Sequence, residues 1–175
     1  EEAELPEDGY EGEYIRDIAQ EIFSDHNDSL KDDGENLIFK EKAEETIFAH
    51  IRKTLGNVGI EMDSYVNEKT FYDDGSIDSV VADLREQGLA YDADGAVWFK
   101  TTKLGKDQDT VLIKSSGEPT YRLPDIAYHC QKVKRGFDLI VDIFGTDHQA
   151  TYPDVLTGVE KLGNKIDHIR VLIHQ

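Results

Sequence analysis

Cysteine is nearly missing: Cys130 stands alone in 175 residues, which excludes a disulfide framework and any cysteine-based zinc site within the chain. Long apolar runs are missing too. None approaches the roughly 20 residues of a membrane span, and the acidic start has neither the basic nor the apolar region of a secretory leader. A protein of the reducing cytoplasm, without a membrane partner, is the expectation. Basic residues are scarce, 19 Lys and Arg against 37 Asp and Glu, for a net charge of −18. No strong nucleic-acid binding is expected of such a chain by charge alone, because each phosphate contact needs a cation to release a counterion. What is present excludes a disordered acidic tail: 38% of the residues are hydrophobic, and they recur periodically. The length suffices for one domain with a core, or one carrying a small insertion.

The charge is uneven. Residues 1–50 hold 17 acids and 4 bases, residues 51–100 hold 10 and 5, and residues 101–175 hold 10 of each. The acidity therefore belongs to the first hundred residues and the remainder is neutral. The chain opens on Glu1, its single methionine is Met62, and it stops at Gln175 directly after the apolar Ile169, Val171, Leu172 and Ile173. These features suggest an internal piece of a longer protein.

Apolar residues at three-and-four spacing predict a helix from Glu11 to about Asp25 (Tyr14, Ile15, Ile18, Ala19, Ile22, Phe23). A second runs from about Phe39 to Leu55 (Ala43, Ile47, Phe48, Ile51, Leu55), with Gly56 as its stop. The polar segment Asp25–Asn36 between them reads as a loop, and Met62–Val66 as a short strand. Ser76 is expected to cap a third helix that carries Ile77, Val80, Val81 and Leu84 and ends at Gly88. From Leu89 the period changes to two: Leu89–Tyr91, a turn at Asp92–Gly95, Ala96–Phe99 and Val111–Ile113 form a small β-rich unit closed by a turn at Ser115–Gly117. A helix follows from Pro124, then a strand over Asp138–Phe144, a helix over Tyr152–Leu162 and a strand over His168–Ile173. Strand, helix, strand at this spacing is a βαβ unit of a parallel sheet, so the fold class is α/β. The implied organisation is a helical lead-in over 1–88, a β-rich insertion over 89–122 and a βαβ segment over 123–175.

Ligands of open parallel sheets bind beyond the carboxyl ends of the strands. The segment there is Gly145-Thr-Asp-His-Gln149, where Gly145 admits a close ligand and Asp147 can accept two hydrogen bonds from a ribose diol. The plainer reading is a turn with a solvated acid. At Tyr121-Arg-Leu-Pro-Asp125, Tyr121 and Asp125 can converge on one cationic ligand, a carboxylate matching a guanidinium with a phenol beside it. The plainer reading is a helix-start acid stabilised by the helix dipole. Asp107-Gln-Asp109 lacks the features of a calcium loop, and Lys114-Ser-Ser-Gly117 lacks the glycine spacing of a phosphate loop. The six histidines show no metal-ligand spacing, Cys130 reads as a small core residue, and Lys132–Arg135 reads as a solvated helix face. No metal site and no nucleophile with an adjacent base is apparent.

Six segments in order make the chain resemble the catalytic domain of arginyl-tRNA synthetase, a class I aminoacyl-tRNA synthetase: Pro6-Glu-Asp-Gly-Tyr10 with Gly12-Glu-Tyr14-Ile15, Gly95-Ala-Val-Trp-Phe99, Lys114-Ser-Ser-Gly117, Tyr121 through Asp125-Ile-Ala-Tyr-His129, Arg135-Gly-Phe-Asp138 and Gly145-Thr-Asp-His148. The resemblance implies a Rossmann-like nucleotide-binding domain with the β-rich unit as its insertion. It makes Tyr121 and Asp125 the contacts to the substrate arginine, and assigns Gly145, Asp147 and His148 to ATP or the adenylate; Gln149 departs from the family's usual His-His-Gly continuation. The implied reaction joins arginine to ATP, with Mg2+ accompanying the nucleotide, and passes the arginyl group to tRNA(Arg). No His-x-Gly-His and no Lys-Met-Ser-Lys element occurs in these 175 residues, so the piece by itself is expected to be inactive, with no catalytic residue of its own. The alternative is a synthetase-like domain that binds a nucleotide or a partner without aminoacylating anything. A dinucleotide-dependent oxidoreductase is disfavoured by the lack of a Gly-x-Gly-x-x-Gly turn.

Overall fold

A computed structural model describes residues 12–33 and 37–174. The Pro6–Tyr10 segment, with part of the Asp25–Asn36 stretch, lies outside the described residues. The chain divides into two compact units, Glu1–Tyr65 and Val66–Gln175.

The first unit holds helices α1 (Glu13–His26) and α2 (Leu37–Asn57), with a 3-10 turn over Asn27–Leu30 where a plain loop was expected. Only Ile18 and Ile22 of the α1 stripe are buried. In α2 the expected inward stripe is incomplete: Phe48 and Ile51 are exposed, because one neighbouring helix covers a narrower arc than the apolar stripe spans. Phe48 instead meets the Tyr65 ring edge-on at 5.6 Å. Gly56 is not the stop of α2. The helix continues to Asn57, and the closing bonds run from Gly59 N to Gly56 O (3.0 Å) and from Ile60 N to Leu55 O (2.9 Å), a Schellman arrangement. No strand forms over Met62–Val66; Val66 packs against the core of the second unit.

The second unit begins with α3 (Lys69–Asp73), a single helical segment too short for periodicity to reveal, which carries Phe71 into the core. Helix α4 (Ser76–Glu86) buries Ile77, Val80, Val81 and Leu84 as expected. Ser76 is its first residue rather than its cap: Gly75 holds the cap position, and the Ser76 N–H donates to Asp74 Oδ1 at 2.9 Å. Leu89 N to Leu84 O and Gly88 N to Arg85 O, both 2.8 Å, close the helix at Gly88.

Strands β1 (Ala90–Ala93), β2 (Ala96–Phe99) and β3 (Thr110–Ile113) form an antiparallel sheet in that order. Pairing of Ala93 with Ala96 leaves a two-residue turn, Asp94-Gly95, both at positive φ (51° and 75°). That combination matches the twist of the flanking strands and explains the glycine. Helix α5 (Arg122–Lys134) starts two residues earlier than expected, preceded by Tyr121, which makes no side-chain capping bond. Pro124 still lies in the first turn, where its missing N–H has no partner to lose. Strands β4 (Ile140–Gly145) and β5 (Ile169–His174) pair in parallel, Ile140 with Ile169 through Gly145 with His174, with α6 (Tyr152–Lys161) between them in sequence. The outer face of this pair, Val141, Ile143 and Leu172, is exposed.

Leu84, Phe99, Leu112, Leu123, Ile126, Val155 and Val159 are enclosed almost completely, so α4, α5, α6 and the antiparallel sheet share one core. Helix α6 comes close to α5 at Gly158, where an added Cβ would lie 2.7 Å from Ile126 Cδ1. Two carboxylates are also buried. Asp154 of α6 is 2% exposed and receives Arg122 Nε at 3.0 Å, Lys106 Nζ, and the Thr110 hydroxyl at 3.4 Å, joining β3 and α5 to α6. Asp142 of β4 is 8% exposed and receives Lys132 Nζ and His129 Nε2, the latter at 3.0 Å. Burial would raise the Asp142 carboxyl, but the bonds from His129 and Lys132 outweigh it and hold the group below its ordinary value.

Gly158→Ala should destabilise the chain by about 1–3 kcal/mol through overpacking, and adding Ile126→Val should recover part of that loss in denaturant titrations, since it removes the clashing methyl. A depressed folded-state pKa contributes stability that is complete above the unfolded value near ~3.9 and is lost as pH falls through the folded value. Asp142→Asn should therefore lower stability at pH 7, and denaturant midpoints measured across pH should show the gap to the parent closing below about pH 4.

Candidate functional site

Two segments meet at the carboxyl end of β4. One is the first turn of α5, where Asp125 N donates to Tyr121 O at 3.2 Å, placing the two residues one turn apart on the same helix face. The Tyr121 side chain is 84% exposed. Asp125 is half-buried, and neither its carboxyl nor the Tyr121 hydroxyl has a hydrogen-bond partner among the described residues. Burial pushes the Asp125 carboxyl above its ordinary value, against the pull of His129 and His148 and with a smaller push from Glu68. A half-buried carboxylate with no partner among the described residues is short of one cation or donor.

The other segment is the 3-10 turn Thr146–Ala150 that follows β4. Gly145 ends the strand in an extended conformation, and a Cβ there would lie 2.6 Å from Asp147 Oδ1, so the Asp147 carboxyl folds back over the glycine. Asp147 is otherwise exposed, with His148 Nε2 at 3.6 Å from its Oδ2. The His148 ring stacks on Phe144 with centroids 4.9 Å apart and planes at 15°. The structure thus brings His148 within electrostatic reach of Asp125, while most of Tyr121 lies in solvent.

The residues beneath this surface were not legible as a unit. Lys132, expected on a solvated face, is only 14% exposed and sits against Asp142, His129 and, at 4.9 Å, the Tyr128 ring. His129 is 3% exposed. The signal that could have found them is Asp142 itself, an acid inside an apolar run that reads as a buried strand; such a charge needs partners. Cys130 is a buried free cysteine whose thiol is raised by burial, in keeping with a packing role. Among the described residues no group of three or more His, Cys, Asp or Glu is arranged to hold a metal ion. Among them also, no helix is long and apolar enough to cross a membrane.

Residues 10–174 match the family model "tRNA synthetases class I (R), catalytic domain". The chain is 57% identical over 174 residues to the arginine–tRNA ligase of Desulfotalea psychrophila, covering 99% of this chain and 32% of that protein. It is 49% identical over 171 residues to that of Salinibacter ruber, covering 98% and 30%. It thus spans about a third of the length of these relatives. A crystal structure described as an arginyl-tRNA synthetase of Campylobacter jejuni superposes with a TM-score of 0.88 at 31% identity, over 100% of this chain and 38% of that one. The fold is shared more distantly with the arginyl-tRNA synthetase of Plasmodium falciparum, at a TM-score of 0.64 and 13% identity over 91% of this chain and 28% of that one. An α/β chain with a parallel strand pair, a 3-10 turn beyond its carboxyl end and a match over nearly its whole length belongs to the catalytic-domain family of the class I tRNA synthetases for arginine.

Proposed function

We propose that the protein carrying this chain is an arginine–tRNA ligase, which activates arginine with ATP to arginyl-adenylate and transfers the arginyl group to tRNA(Arg). The observation that carries this reading is Asp125: a half-buried carboxylate without a partner among the described residues, at the first turn of α5, near the turn that ends β4. A guanidinium stays charged at any physiological pH and offers paired donors that fit a carboxylate, whereas Lys offers a point charge. Tyr121, one turn earlier on the same face, is free to fold onto the bound side chain. Gly145, Asp147 and His148 would face the nucleotide: Gly145 lets the strand end approach it, Asp147 accepts from a ribose diol, and His148 is pre-oriented by its stack on Phe144. Mg2+ would travel with the ATP phosphates, as it does where one or two carboxylates and the substrate itself complete its shell.

The antiparallel sheet β1–β3 reads as the insertion between the halves of the nucleotide-binding fold, within the division 1–88, 89–122 and 123–175. The neutral net charge of residues 101–175 and the acidic first hundred residues leave tRNA docking to other parts of the protein. The lone buried Cys130 suits a reducing compartment such as the cytoplasm.

In the full-length enzyme, Asp125→Asn should lower kcat/KM for arginine by the ~2–4 kcal/mol of a lost charge-paired contact while the KM for ATP stays put; unchanged arginine kinetics would return Asp125 to the role of a helix-start acid. The 175 residues by themselves, which contain no His-x-Gly-His and no Lys-Met-Ser-Lys element, should give no arginine-dependent ATP–pyrophosphate exchange above background, a result checked directly with labelled pyrophosphate.

A further inference from the structure

The core beneath the arginine-facing turn contains a histidine whose two ring nitrogens are both committed. His129 lies one helical turn after Asp125 and is 3% exposed. Its Nδ1 is 2.7 Å from the backbone carbonyl of Asp125, and since a carbonyl only accepts, Nδ1 carries the hydrogen. Its Nε2 is 3.0 Å from Asp142 Oδ2 and 3.1 Å from Lys132 Nζ. Lys132 Nζ also donates to Asp142 Oδ1. The ring lies 6.5 Å from that of Phe144, which in turn stacks on His148. One side chain therefore bonds the peptide of Asp125 on α5 and the buried carboxylate of β4, and sits against the aromatic that supports the turn beyond β4.

Packing alone does not ask for this. Three ionisable side chains at 3%, 8% and 14% exposure are costly to desolvate, and apolar residues of similar volume would fill the space as well or better. What the polar arrangement adds is direction, because hydrogen bonds to defined atoms hold a helix at one height and rotation against a strand, whereas apolar contacts tolerate sliding. We propose that His129, anchored by Asp142 and Lys132, is a positioning residue for arginine recognition: it sets the register of the first turn of α5 against β4 and so places the Asp125 carboxylate relative to the Gly145–His148 turn. This rests on the reading of Asp125 as the guanidinium acceptor.

The effect should fall on arginine more than on ATP. The His129 bond is to the peptide of Asp125 itself, while Gly145 and Asp147 are held by β4 and its pairing with β5.

The test uses the full-length enzyme, with steady-state kinetics for arginine and for ATP and thermal melting on the same preparations. His129→Leu removes both bonds. His129→Asn keeps a donor at the position of Nδ1 and loses the reach to Asp142. The KM for arginine should rise by about tenfold or more for His129→Leu, the scale on which small misplacements act, and by less for His129→Asn, with the KM for ATP within about twofold of the parent. Should His129→Leu fail to fold, the arginine-selective rise in His129→Asn carries the test. A lowered melting temperature with an unchanged arginine KM, or equal rises for both substrates, overturns the proposal and leaves His129 a structural residue. Asp125→Asn in parallel separates the two layers. If it raises the arginine KM while the His129 variants do not, the positioning role alone is wrong; if it has no effect, the guanidinium reading fails and takes the proposal with it.

Discussion

A carboxylate in the middle of a hydrophobic strand must be met by charge or donors, and Asp142 in β4 imposes that requirement on everything packed against it. An ion moved from water into a protein interior forfeits several kcal/mol of solvation, recovered only where partners sit at bonding distance. Asp142 is met by His129 and Lys132, both from α5 and three residues apart, so one turn of one helix must face one residue of one strand. That constraint ties α5 to the parallel pair.

The rest of the second unit is arranged around the helix so held. On its other flank Gly158 lets α6 approach until Ile126 is in contact, and Asp154 draws Arg122, Lys106 and Thr110 together. The antiparallel sheet, α5 and α6 thereby share a buried carboxylate as well as a core. Asp125, in the first turn of α5 three residues after Arg122, and the turn beyond β4 are the candidate segments, with His129, Lys132 and Asp142 paired beneath them.

Much of this was legible from residue order. The stripe Ile77, Val80, Val81 and Leu84, the Asp94-Gly95 turn and the apolar runs of β4 and β5 each carry a local physical signal, and each formed the expected element. Local signals failed where competition decided. Gly56 looked like a stop, but Gly59 closes the helix because the Leu55 and Gly56 carbonyls find the Ile60 and Gly59 N–H groups three and more residues on. Ser76 looked like a cap, but the Asp74 side chain reaches its N–H first. The residues from Met62 to Val66 read as a short extended segment, yet a strand needs a partner edge and none pairs there among the described residues. Among the candidates, Gly145 and Asp147 could be singled out because topology says where ligands of parallel sheets bind, and Tyr121 with Asp125 because a carboxylate and a phenol suit a guanidinium. His129 and Lys132 could not, since a histidine and a lysine on a helix are ordinarily solvated and only the facing strand reveals otherwise.

The sequence by itself determined the α/β class, the order of elements in the second unit and the location of the two candidate segments, because hydrophobic period and turn chemistry act within a few residues and need no fold to be read. Its acidity, confined to the first hundred residues, leaves the neutral part that carries both segments unaffected. Only the tertiary structure decided that Asp142, thirteen residues from His129 and ten from Lys132, lies against both, and that the Asp125 carboxyl stays half-buried within electrostatic reach of His148. Such pairings span a helix and a strand whose relative height no local pattern encodes; they are set by which polar groups can satisfy one another once the apolar core has closed.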